Sequence, residues 1–118
     1  MSILSPEDSD YNKLLNICKR SGFGACEYSN QLLGAKLNAG IEVCKDYDYL
    51  MGLGSDNLLN PELFTLYRSY IEKQYKMFGI GEYLAYDLNT RRAILFQMPH
   101  NNNAPVIGAG RMIHRSVI

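Results

Sequence analysis

The feature that most constrains this chain is a change of hydrophobic period at Gly81. Before it, apolar side chains recur every three or four residues, the spacing of one helix face. After it they alternate, the spacing of a strand. In "YLAYDL" Leu84, Tyr86 and Leu88 fall to one side, and in "RRAILFQM" Ile94, Phe96 and Met98 do the same. The polar "LNTR" between them supplies a turn, so 83–98 is predicted to be a β-hairpin. Pro99 to Pro105 reads as a polar loop, and Val106 to Ile118 as a third strand. In that strand Gly108 and Gly110 mark a bulge, a bend or a close backbone approach.

The first half carries helix signals. Ser5 is a capping residue, Pro6 suits the first helical position, and Glu7 and Asp8 complement the positive end of the helix dipole. Tyr11, Leu14, Leu15 and Cys18 then form one apolar stripe, and Gly22 offers a left-handed exit, which predicts a helix over 6–20. Leu33, Leu37, Ile41, Cys44, Tyr47 and Met51 continue a helical stripe with Gly40 on its side. This predicts a second, longer helix within 24–51, broken near Gly34, because each glycine costs about 1 kcal/mol relative to alanine. Gly52 to Asn60 reads as a connector. Asn60, Pro61 and Glu62 open a third helix over 61–77, whose stripe runs from Leu63 through Tyr67 and Ile71 towards Phe78. The expected fold class is therefore α+β: three N-terminal helices followed by a three-stranded antiparallel β-meander, in a single domain spanning 1–118.

A chain of 118 residues with 47% hydrophobic and 20% charged side chains is ordinary for a globular domain. No apolar run approaches the roughly 18 residues of a membrane span, and "MSILSPEDSD" lacks the pattern of a secretory signal, so the expected compartment is the cytoplasm. Cys18, Cys26 and Cys44 are odd in number, without C-x-x-C spacing or a nearby histidine. Three reduced thiols and no metal site are expected.

Net charge is zero, which gives no overall pull towards nucleic acid or membrane. Its distribution is uneven. Residues 1–60 carry eight Asp/Glu against five Lys/Arg, and residues 61–118 carry four against seven. Beyond Asp87 no acidic residue occurs, while Arg91, Arg92, Arg111 and Arg115 all fall there, with His100 and His114. At the other pole, Glu42, Asp46 and Asp48 form an acidic stretch interleaved with Tyr47 and Tyr49. Nine tyrosines and no tryptophan suit packed surfaces whose edges are also interfaces.

No phosphate-binding loop, H-E-x-x-H, G-x-S-x-G or EF-hand pattern occurs, and "GAGRMI" and "FGIGEY" lack the third glycine and the helix of a dinucleotide fingerprint. No cofactor is expected. The leading reading is a small non-enzymatic binding protein, an inhibitor or immunity-type accessory of a bacterial or phage conflict system. It docks on another protein through Arg91, Arg92, Arg111 and Arg115, or through Asp46, Tyr47, Asp48 and Tyr49. Self-association through the same charges is a further option. The alternative is a metal-independent ribonuclease or RNA-binding domain. There His100 and His114 would serve as acid and base, with Arg111 holding phosphate beside Arg115. A third reading is a binder of a small anionic nucleotide at Arg111 and Arg115.

Overall fold

The computed structural model describes residues 1–98 and 108–118. Three helices are interleaved with seven strands: β1 (Ser2–Leu4), α1 (Tyr11–Arg20), β2 (Ala25–Glu27), α2 (Leu33–Val43), β3 (Tyr49–Met51), α3 (Glu62–Glu72), β4 (Met77–Phe78), β5 (Glu82–Asp87), β6 (Arg92–Gln97) and β7 (Met112–His114). A short 3₁₀ turn, Arg115–Val117, follows β7. The expected order, three helices and then one three-stranded meander, is thereby overturned. The strands form three separate small sheets, β1-β2, β3-β7-β4 and β5-β6. The chain divides into two compact units, Met1–Tyr47 and Asp48–Ile118.

In the first unit β1 and β2 pair in parallel, Ile3 opposite Cys26, with α1 as the crossover that parallel pairing requires. This pairing shortens α1. With Ser2–Leu4 held as a strand, residues 5–10 carry the chain round through two turns, Asp8 N–H to Ser5 C=O at 3.0 Å and Tyr11 N–H to Asp8 C=O at 3.0 Å. The helix starts at Tyr11 rather than Pro6. Its expected stripe holds: Tyr11, Leu14, Leu15 and Cys18 are its least exposed residues. Gly22 takes the left-handed exit at φ +72°. The long second helix is replaced by β2, α2 and β3. Gly34 stands in the first turn of α2 and begins the helix instead of breaking it. Gly40 lies against β1 so closely that a Cβ there would overlap the Ile3 side chain. That approach turns Lys36, Ala39 and Gly40 inward and leaves Leu33 and Leu37 exposed.

In the second unit β7 is the middle strand, antiparallel to both neighbours. His114 stands opposite Tyr49, and Met112 opposite both Met51 and Phe78. The core is Tyr67 from α3 against Phe78 and Met112, flanked by Tyr49, Met51, Leu63, Ile71 and Ile80. Phe78 gathers the rings: Tyr67 meets it edge-on at 5.0 Å and Tyr70 stacks on it at 5.3 Å. These are favourable aromatic geometries. The Tyr67 hydroxyl, buried, donates to Gly110 C=O at 2.7 Å. Gly110 has φ +73°, so its glycine serves the bend that presents this carbonyl. The third helix ends at Glu72 because Gln74, at φ +57°, turns the chain so that Met77 and Phe78 can pair with β7.

The hairpin forms as β5 and β6, Glu82 opposite Gln97 through Asp87 opposite Arg92. The last strand does not join it. Met112–His114 pairs with β3 and β4 instead, so the described residues form no three-stranded meander; 99–107, the expected loop and the start of the expected third strand, lie outside them.

Candidate functional site

Antiparallel register decides which side chains share a face, because residues directly opposite point the same way. One face of the ribbon carries Leu84 with Leu95 and Tyr86 with Ala93. The other carries Tyr83 with Phe96 and Ala85 with Ile94. The two apolar rows legible in the sequence, Leu84–Tyr86 and Ile94–Phe96, therefore lie on opposite faces. Both faces are exposed. Leu84 is 67% exposed, Tyr86 58%, Ile94 60% and Leu95 52%. Only Ala85 is half-buried among the twelve residues of the two strands.

Polar contacts hold the two ends. At the open end Gln97 Nε2 donates to Glu82 Oε2 at 2.9 Å, and Met98 N–H to Gly81 C=O at 2.7 Å. At the turn, Asp87 Oδ1 accepts from the N–H groups of Asn89 at 2.8 Å and Thr90 at 3.3 Å, and Oδ2 from the Thr90 hydroxyl at 2.7 Å. The Thr90 hydroxyl, followed by the two backbone donors, holds the Asp87 carboxyl below its ordinary value. Arg91 closes the turn at φ +55°, and its N–H bonds Asp87 C=O at 2.8 Å. An open depression beside the turn is lined by Ala85, Asp87, Thr90, Arg92 and Ile94, among others. Tyr83 stacks on Phe96 at 5.0 Å with the rings 10° from parallel. The ribbon is thus a shaped element whose apolar side chains meet solvent on both faces.

The charged residues singled out in the sequence divide among three places. Arg91 and Arg92 stand exposed at the ribbon's turn. Asp46 and Tyr47, both exposed, end the first unit. Asp48 and Tyr49 join His114 and Arg115 in the second: Arg115 N–H donates to Asp48 C=O at 2.7 Å, and the Tyr49 ring meets His114 edge-on at 4.9 Å. Part of the acidic stretch and part of the basic tail are therefore neighbours on one sheet, where the sequence suggested opposite poles. Arg111 and Arg115 are half-buried beside the central strand.

His100 lies outside the described residues. His114 Nδ1 accepts the Ser116 N–H at 3.1 Å and lies 2.8 Å from the Ser116 hydroxyl and 3.5 Å from Lys76 Nζ. These contacts make His114 the cap of the terminal 3₁₀ turn. A second polar cluster, in the first unit, has Lys36 Nζ donating to Ser5 Oγ at 2.7 Å and to Asn30 Oδ1 at 3.2 Å. Ser5 is only 5% exposed, so its hydroxyl is a clamp between α2 and the first turn, not a nucleophile open to substrate. Among the described residues no group of three or more His, Cys, Asp or Glu could hold a metal ion. Cys18, Cys26 and Cys44 form no disulfide. Burial, then the neighbouring Cys44, raises the Cys26 thiol above its ordinary value. Among the described residues no helix is long and apolar enough to cross a membrane.

The exposed faces of the ribbon escaped the sequence reading, although the signal was present. Both strands are apolar at odd and even positions alike, "YLAY" and "AILF", where a strand covered on one side alternates with polar residues. Comparison of the chain with family models, with curated proteins and with solved structures finds no match.

Proposed function

We propose that this chain is a non-enzymatic docking protein, of the inhibitor or immunity type, which binds another protein through the β5–β6 ribbon. The observation that carries the reading is the ribbon's exposure: two strands with large apolar side chains exposed on both faces and, among the described residues, nothing packed over either. Large contiguous apolar surface exposed on a folded chain marks an interaction site, since leaving it in water forgoes burial worth about 25 cal/mol per Å². Tyr83, Tyr86 and Phe96 supply the ring types that dominate binding hot spots, and Arg91 and Arg92 at the turn supply a charged rim. In this reading Asp46, Tyr47, Asp48, Tyr49, Arg111 and Arg115 are secondary, the last two because they adjoin a central strand.

The test is capture from the source cell by the purified chain and by a Leu84→Lys, Ile94→Lys double variant. The wild type is expected to retain one protein in comparable molar amount, and the variant to lose it at an unchanged melting temperature. Capture that survives both lysines removes the ribbon from the interface. Incubation with total RNA is run in parallel, and specific cleavage lost on His114→Ala would replace docking by the ribonuclease reading.

A further inference from the structure

Among the described residues the ribbon has two open edges as well as two exposed faces. Among the described residues no strand pairs with the outer side of β5 or of β6. Proteins blunt such edges with proline, a bulge, a lysine in mid-strand or a covering segment. Glu82–Asp87 and Arg92–Gln97 contain no proline or lysine, and their pairing runs unbroken through six consecutive pairs, without a bulge.

Charge separates the two edges. β5 carries Glu82 and Asp87 and no cation, whereas β6 and the residue before it carry Arg92 and Arg91 and no anion. Placing β5 beside the β5 of a second copy would gather four carboxylates, and β6 beside β6 four guanidiniums. β5 beside β6 sets opposite charges together. Register agrees. When β5 of a second copy takes the register that β5 already has on β6, Asp87 stands opposite Arg92, Leu84 opposite Leu95 and Tyr83 opposite Phe96, repeating the pairs within each chain. Each residue keeps its own face, so apolar rows continue across the junction.

We infer that a second copy of this chain adds edge to edge to the ribbon, β5 of one copy antiparallel to β6 of the next. The inference rests on reading the ribbon as a docking element, and it names a partner beyond the one proposed above. Because the two joined edges differ, the contact is head-to-tail and two copies do not close it, so each added chain presents a fresh edge. Self-association is then graded with concentration, and salt weakens it by screening the Asp87–Arg92 pair.

Sedimentation of the wild-type chain over a wide concentration range is the first arm. Average mass should rise continuously from the 13.4 kDa of one chain, without a plateau at two, and fall back in high salt. Cross-linking is the second. Leu84→Cys and Leu95→Cys chains are oxidised alone and mixed, with the wild type giving the background from the native thiols. The mixture should yield several-fold more covalent dimer than either variant alone, because cross-strand neighbours lie within disulfide reach. A mass fixed at one chain overturns the inference, as do cross-links equally abundant in either variant alone. A chain that stays single yet captures its partner protein through the ribbon overturns this inference only. Capture insensitive to the ribbon lysines overturns the docking reading as well.

Discussion

The second unit contains two β structures of opposite character. The β3-β7-β4 sheet is built from strands of two or three residues, and the β5–β6 ribbon from strands of six. Strand length alone would make the ribbon the stronger of the two. The short sheet nevertheless holds the core, because α3 lies over it and Tyr67, Phe78 and Met112 are buried between them. The ribbon has longer paired strands and, among the described residues, no cover. A two-stranded hairpin by itself is marginal in water, whereas a small sheet under a helix is not. Coverage, more than pairing, decides which of the two is scaffold and which is surface.

That contrast is most severely challenged at Tyr67. Replacing it with alanine empties the ring contact with Phe78 and leaves the Gly110 carbonyl without its donor. Losses of about 3–5 kcal/mol accompany such truncations of a large buried ring, a large share of a small domain's stability. Denaturant unfolding of the Tyr67→Ala chain should show the short sheet lost or nearly so. The next effect is at Gly110. A Cβ there would meet Tyr67 and Ile80 only at ordinary contact distance, 3.8 Å, so the strain is confined to φ +73°. Gly110→Ala should therefore cost about 1–2 kcal/mol in the same measurement.

On the ribbon the same chemistry should be almost silent. Leu84→Lys with Ile94→Lys changes two exposed side chains, and surface changes of this kind stay within about 0.5 kcal/mol. Unchanged melting with lost association would sharpen the contrast; a large fall in melting temperature would erase it.

The smallest effect is set by pH at the turn. The folded Asp87 carboxyl titrates below its ordinary 3.8, so its bonds to Thr90 and Asn89 favour the closed turn at every pH above that value. The contribution is lost as pH falls through the lowered folded value. NMR shifts of Asn89 and Thr90 amides should move in that acid range and stay constant in Asp87→Asn.

Much of the ribbon was legible in the sequence, because two short apolar runs joined by the polar turn "LNTR" need no tertiary information. The stripe of α1 was legible for the same local reason. Its start was not: Ser5 and Pro6 look like a cap and a first turn, but pairing of Ser2–Leu4 with Ala25–Glu27 claims the preceding residues. β3, β4 and β7 are too short to show any period, and β7 exists by pairing with two strands far away in sequence. The same long-range pairing ended α3 at Glu72, since Met77 and Phe78 belong to the sheet. For the candidate site, Arg91 and Arg92 were found through charge. The exposed faces beside them were not, since the sequence reading set Leu84, Tyr86 and Leu88, and Ile94, Phe96 and Met98, to one side and left aside Ala85 and Leu95 between them. Register across the hairpin, which only the structure supplies, puts the two rows on opposite faces.

Amide hydrogen exchange compares the two β structures in one experiment. At high dilution the amides of Arg92–Gln97 should exchange orders of magnitude faster than those of Met112–His114, because an uncovered ribbon opens locally while the covered sheet opens only with its core. Raising the concentration, or adding the captured partner, should slow the ribbon amides alone. Ribbon amides as protected at high dilution as those of Met112–His114 would contradict the account, since something within a single chain would then already cover them.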